Sequence, residues 1–283
     1  MLRRVDVVLL IAFSASSVRV DAMQRGAALP RAIQRVSCAR IYAVAPAPPG
    51  APPRAATVDG GESPSSSARW KRPRQHVNPL ASHHQRPLKL ATDWDARAFD
   101  QPRPLHIDIG CAAGHFCVHL ADARPGTNVL GLEIRESLVE RANGWADVRA
   151  IGNLRFLQCN ANVDLPAIAS ACRSPLASVS IQFPDPWFKK RHHKRRVVQP
   201  ELVEHIAARL PPGGTLFVQS DVRELAEAMR EQIEQTTGDR LAPAPGPASD
   251  GWLDHNPIGI ATEREIATAR KGGNVWRALY TRL

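Results

Sequence analysis

Residues 105–114 read Leu105-His106-Ile107-Asp108-Ile109-Gly110-Cys111-Ala112-Ala113-Gly114. A short apolar run that ends in glycine has the form of a buried strand entering a tight turn. Residues 115–123 continue as a helix, closed by Pro125-Gly126. The alternation repeats outward from there. Further strands are expected at 128–134, 153–159, 177–183, 215–219 and 275–282, and helices at 136–146, 163–171, 201–210 and 222–235. Strands joined by crossover helices imply an α/β fold, a Rossmann-like, doubly wound and mostly parallel sheet. Ligands then bind beyond the carboxyl ends of the strands, where residues 110–114 fall. A proline-rich break at 242–247 reads as a surface loop.

The glycine spacing selects among nucleotides. A dinucleotide loop of the form G-x-G-x-x-G needs glycines at 110, 112 and 115, and the chain has Gly110, Ala112 and His115. The G-x-G-x-G spacing of S-adenosylmethionine-dependent methyltransferases needs 110, 112 and 114, and only Ala112 departs from it. Gly110 and Gly114 are therefore candidate cofactor-binding residues; Ala112 fits the loop unstrained if its φ is negative, and glycine would serve better there if its φ is positive. Glu133 ends the second strand, where a carboxylate accepts hydrogen bonds from both ribose hydroxyls.

The fourth strand leads into Phe183-Pro184-Asp185-Pro186-Trp187-Phe188 and then Lys189-Lys190-Arg191-His192-His193-Lys194-Arg195-Arg196. Prolines on both sides restrict the backbone of Asp185. An acid and an aromatic face can recognise a base, and six permanent cations in eight positions can meet phosphates. The plain alternative for Asp185 is a helix N-cap. Adjacent His192 and His193 point apart and lack a third ligand, so no metal site is expected.

Pro184 to Pro200 closely resembles the signature of the tRNA (guanine-N7)-methyltransferase family, in its bacterial and plastid branch. The resemblance extends to Arg74–Leu80, Gly131–Arg135, Asn160-Ala161, Pro212–Gly214, Ser220-Asp221 and Thr262–Glu265, in the family's order. It implies the class I methyltransferase fold, S-adenosylmethionine as cofactor and tRNA as partner. By this resemblance Asp108, Gly110, Glu133, Arg135, Asn160, Ala161 and Asp185 contact the cofactor, Asp185 also holding the guanine as the catalytic residue. Lys189, Asp221, Thr262, Glu263, Arg264 and Glu265 contact the substrate. Departures from the pattern are Ala112 for glycine, Asn160 where many bacterial members carry an acid, and Val222 where an aromatic often stands.

The formal charge of +10 sits mostly outside the expected fold: residues 1–74 hold 12 Lys/Arg against 4 Asp/Glu, leaving 25 against 23 in 75–283. Arg3 and Arg4 precede the apolar run 7–13, in the layout of a secretory signal. Six arginines against one acid from Arg19 to Val58 resemble a transit peptide. The expected organisation is a disordered targeting leader and low-complexity linker at 1–68, directed to a plastid or else a mitochondrion, and one methyltransferase domain at 69–283. The charge-free stretch 7–18 falls short of the roughly 18 apolar residues that span a membrane. Five cysteines without a C-x-x-C pair read as reduced packing residues. A monomer or homodimer is expected, and an accessory subunit stays open. Two rival readings also stay open: a methyltransferase of a small molecule or protein, and a non-catalytic RNA-binding relative.

Overall fold

The computed structural model describes residues 77–246 and 250–283, all within the second of two units into which the chain divides, Arg69–Leu283. The expectations for the leader, and Arg74 to His76 of the leading segment, lie outside the described residues. In chain order the elements are α1 (Trp94–Ala98), β1 (Leu105–Ile109), α2 (His115–Ala123), β2 (Asn128–Glu133), α3 (Glu136–Val148), β3 (Leu154–Gln158) and α4 (Ala161–Ala171). They continue with β4 (Leu176–Gln182), α5 (Pro200–Arg209), β5 (Thr215–Ser220), α6 (Arg223–Thr237), β6 (Leu241–Pro243), α7 (Glu263–Arg270) and β7 (Trp276–Arg282).

The sheet order is β3-β2-β1-β4-β5-β7-β6. β1 to β5 are parallel, and β7 runs antiparallel to both of its neighbours. This is the doubly wound α/β sheet expected from the sequence, with the chain reversing its build direction between β1 and β4. Helices cover both faces, so β1 and β2 are buried along their whole length. Leu105, Ile107 and Ile109 join Leu165, Ile168, Leu202 and Ile206 in the larger core cluster. On the other face Phe116, Leu120, Val139 and Phe156 form a second cluster beneath α2 and α3. Ile181 is fully buried in the first cluster, and its truncation to alanine would cost about 2–5 kcal/mol.

The proline-rich break differs from its expected form. Leu241–Pro243 pairs with β7 as the outermost strand; a proline is admissible there because an edge strand need not donate on its open side. α4 starts at Ala161 because the Asn160 side chain accepts from the Asn162 N–H at 3.3 Å and caps it. Helix α7, absent from the sequence reading, starts where Thr262 accepts from the Glu265 N–H at 3.1 Å. Four of the five cysteines are described; all four are free, and burial pushes Cys117 and Cys159 well above their ordinary range. Among the described residues no helix is long and apolar enough to cross a membrane.

Candidate active site

The turn after β1 winds through three left-handed residues: Gly110 at φ +81°, Ala112 at +51° and Gly114 at +82°. Of the two signs of φ open for Ala112, the structure has the positive one. The reason is local: the turn aims the Ala112 N–H at Glu133 Oε2, 3.0 Å away, and an L-residue held in this region costs roughly 1–2 kcal/mol. Gly114 has a second requirement, since a Cβ there would lie 2.6 Å from the Phe156 ring. At Gly110 a Cβ would meet nothing within 4 Å. The turn therefore opens onto free space on that side, as an approaching cofactor requires.

Glu133 closes β2 with 4% exposure. Its Oε1 accepts from the Arg135 N–H and Nε, and its Oε2 from Ala112 N–H and Arg135 Nη2, all at 3.0 Å. Burial alone would lower the Arg135 pKa, but the bonds to Glu133 and the nearby Asp185 charge hold it above its ordinary value. Arg135 therefore carries electrostatic contact between the carboxylate at the end of β2 and the one after β4. Asp108 sits behind the turn, 3% exposed, and accepts from Ser180 Oγ at 2.6 Å, Gln182 Nε2 at 3.1 Å and Cys117 Sγ at 3.6 Å. Burial pushes its carboxyl above the usual range. Its side chain ties the end of β1 to β4 and to α2, on either side of the turn.

Asn160 closes the loop after β3. Its amide donates to the carbonyls of Pro79 and His84 at 3.1 Å each, which docks the leading segment against α4. A carboxylate at this position has no hydrogen to give either carbonyl, so the departure from the bacterial pattern has a partner in the structure. Ala161 follows as the first residue of α4, buried in the larger core cluster.

After β4, Phe183 at φ +50° and Trp187 at +44° bracket Pro184-Asp185-Pro186. Two strained residues around an acid mark a loop whose shape is imposed by its surroundings. No α-helix begins at Asp185; a 3-10 turn spans Lys190–Arg195, which removes the N-cap alternative. The six cations divide. Arg195 lies over the Trp187 ring at 5.0 Å, and Arg196 donates to the Pro186 carbonyl at 2.9 Å and to Glu224 at 3.0 Å. Lys189, Lys190, Arg191 and Lys194 are exposed beside Phe188, itself 69% exposed. Partial burial and then the neighbouring cations lower the His192 pKa.

The other substrate candidates are held within the protein. Asp221 accepts from Arg264 Nε at 2.8 Å, and Glu263 pairs with His115 Nδ1 at 2.7 Å. Glu265, 7% exposed, accepts from Arg277, Asn256 and Gln219. The sequence reading missed His115, Trp145, Gln182, Gln219 and Arg277. His115 follows the glycine turn directly and stacks on Trp145 with ring centres 5.2 Å apart; Gln182 and Gln219 are polar residues closing apolar strands, a signal that was legible.

Residues 102–278 match a family described as a putative methyltransferase. With the strand order and the left-handed turn beside an acidic strand end, this defines a methyltransferase of the S-adenosylmethionine-dependent class. The chain is 49% identical over 212 residues to the tRNA (guanine-N(7)-)-methyltransferase of Synechococcus elongatus, covering 75% of this chain and 96% of that protein. It is 47% identical over 222 residues to the protein of the same name from Nostoc sp., covering 77% and 97%. The chain belongs to the tRNA (guanine-N(7)-)-methyltransferase family. Among solved structures it is similar to the 16S rRNA methyltransferase KamB, at 16% identity and a TM-score of 0.48 over 69% of this chain and 95% of that one.

Proposed function

We propose that this chain transfers the methyl group of S-adenosylmethionine to N7 of a guanine in tRNA. The observation that carries the reading is Asp185, held between two left-handed residues at the end of β4 with exposed cations directly after it. The turn 110–114 and the strand-end Glu133 hold the cofactor, the first by close backbone approach and the second through the ribose hydroxyls. When bound, S-adenosylmethionine supplies an electrophilic methyl group on a sulfonium sulfur.

Guanine N7 carries a lone pair and no proton, so the chain needs no general base. Its contribution is alignment, which can supply roughly 7–11 kcal/mol in favourable cases. Asp185 accepts from the guanine N1–H and N2 amino group, fixing the base and opposing the positive charge that grows on the ring. Lys189, Lys190, Arg191 and Lys194 meet the phosphates, and Phe188 offers a face for stacking. Mass spectrometry of nucleosides from a tRNA transcript incubated with the protein and labelled cofactor tests the reading. Label in 7-methylguanosine is the expected result, and label in another nucleoside, or none, refutes it.

Residues 1–68 are proposed to carry the chain to a plastid, on the order of signal-like and transit-like sequence alone. A fluorescent fusion to those residues should enter plastids; cytosolic or mitochondrial fluorescence would refute this part and leave the enzymatic reading intact.

A further inference from the structure

A line of polar side chains, buried at Asp108, Gln219 and Glu265 and half-buried at Gln182 and Arg277, crosses the carboxyl edge of the sheet beneath the site. Asp108 on β1 accepts from Gln182 Nε2 at 3.1 Å. Gln182 Oε1 on β4 accepts from Gln219 Nε2 on β5 at 2.8 Å, the two residues being register partners. The same Gln219 nitrogen donates to Glu265 Oε2 at 3.2 Å, and Glu265 Oε1 accepts from Arg277, the residue opposite Gln219 on β7. Each orientation is fixed by its neighbour. Gln219 Nε2 lies between two acceptors and spends both hydrogens on them, so a flipped amide would set oxygen against oxygen. Gln219 is fully buried, and removal of any member of the line leaves a desolvated polar group.

One end of this line is Asp108, which lies on β1 two residues before the cofactor turn and also accepts from Cys117 on the helix that follows it. The other end is the third residue of the Thr262–Glu265 segment's helix, where the Glu265 N–H also caps on Thr262. A second link joins the same two regions at the surface, through His115 and Glu263. We propose that Gln219, acting through Gln182 and Glu265, is a positioning residue that couples the β1 end of the cofactor turn to α7, and that α7 in turn meets the tRNA, so that cofactor and tRNA bind interdependently. This rests on the reading that the chain acts on tRNA.

The test measures the Kd of S-adenosylhomocysteine with and without saturating tRNA transcript. In the wild-type protein, tRNA should tighten S-adenosylhomocysteine at least about fivefold, the lower end of ordinary coupling between sites. Gln219→Met should bring that factor close to one, with the Kd in the absence of tRNA changed less than about threefold and the KM for tRNA raised more than kcat is lowered. A residue that merely packs would leave the factor intact. Gln182→Met, which breaks the same bond from the other side, should repeat the effect. The Gln182→Met/Gln219→Met double variant should be no more impaired than either single variant. If Gln219→Met does not fold, Gln182→Met alone decides. An unchanged factor in a folded variant, or no coupling in a wild-type protein that methylates tRNA, overturns this inference alone. A wild-type protein that does not methylate tRNA overturns the functional reading instead.

Discussion

Arg135 grips Glu133 side-on, Nε to Oε1 and Nη2 to Oε2 at 3.0 Å each, while its own N–H makes a third bond of 3.0 Å to the same carboxylate. With the Ala112 N–H added, Glu133 receives four donors, which fill the roughly four acceptor sites of a carboxylate, so a ribose hydroxyl would have to share or displace one of the Arg135 bonds. The acceptor proposed for the ribose is thereby oriented before any ligand arrives, and the turn 110–114 is tied to β2 through it.

Removal of that carboxylate in Glu133→Ala should weaken S-adenosylmethionine by roughly 1.5–3 kcal/mol, the worth of hydrogen bonds to a charged group. It should also free the Ala112 N–H and loosen the turn. Isothermal titration on the folded variant checks this; an unaltered Kd would move the ribose site elsewhere.

Ala112→Gly should stabilise the protein. Relief of a left-handed alanine returns about 1–2 kcal/mol, and the added freedom of glycine in the unfolded chain takes back about 0.4–1 kcal/mol. A net gain near 0.5–1 kcal/mol corresponds to a Tm higher by roughly 1–4 °C for a domain of this size, with cofactor affinity also improved. A lower Tm in calorimetry would mean that the alanine side chain makes a contact worth more than its strain.

Docking and chemistry should separate by mutation. Alanine at Lys189, Lys190 and Arg191 together should weaken tRNA binding and flatten its log–log salt dependence by about 0.7–0.9 for each phosphate that is no longer neutralised, with cofactor binding unmoved. Asp185→Asn should keep tRNA binding yet slow methyl transfer steeply, because an amide offers one acceptor and no charge. Wild-type methylation and salt slope in the triple variant would reduce the cluster to a solvated face.

His106 gives the protein a pH dependence in the acid range. It is 2% exposed, with Nδ1 2.7 Å from Ser178 Oγ and Nε2 3.0 Å from Ser180 Oγ. Ser180 gives its own hydrogen to Asp108, so Nε2 must carry the imidazole proton. Burial, and then the charge of Arg124, lower its pKa to about 3. The folded state thus refuses a proton that the unfolded chain takes near 6.5. Stability is complete above that pH and falls as the pH drops from 6.5 towards 3, by up to about 1.4 kcal/mol per unit. Urea unfolding at pH 7.5 and 5.5 should show a smaller decrease in His106→Gln than in the wild type, by about 1 kcal/mol. Equal decreases would assign the acid sensitivity to other groups.

Much of this protein was legible in one dimension, because periodicity and turn chemistry act between residues close in sequence. The strands around residues 105–110 and 128–134, the glycine turn and the acid at the end of β2 are local patterns, and each stands where it was expected. Leu241–Pro243 escaped because a three-residue strand has no period to read, and its pairing with β7 is a contact between distant parts of the chain. The sign of φ at Ala112 was likewise hidden: alanine prefers the negative region, and the bonds that hold the turn, from the Gly110 and Cys111 N–H to Leu132 and from the Ala112 N–H to Glu133, reach a strand some twenty residues away. The basic run was plain as composition, yet its division into outward cations and the Arg195 and Arg196 that hold the loop depends on Trp187, Pro186 and Glu224. The sequence by itself determined the α/β class, the methyltransferase family and the position of Asp185. Tertiary structure decided which charges face outward and which are engaged, because a charged side chain is satisfied by whatever the fold brings within about 3 Å of it, and no local rule states what that will be.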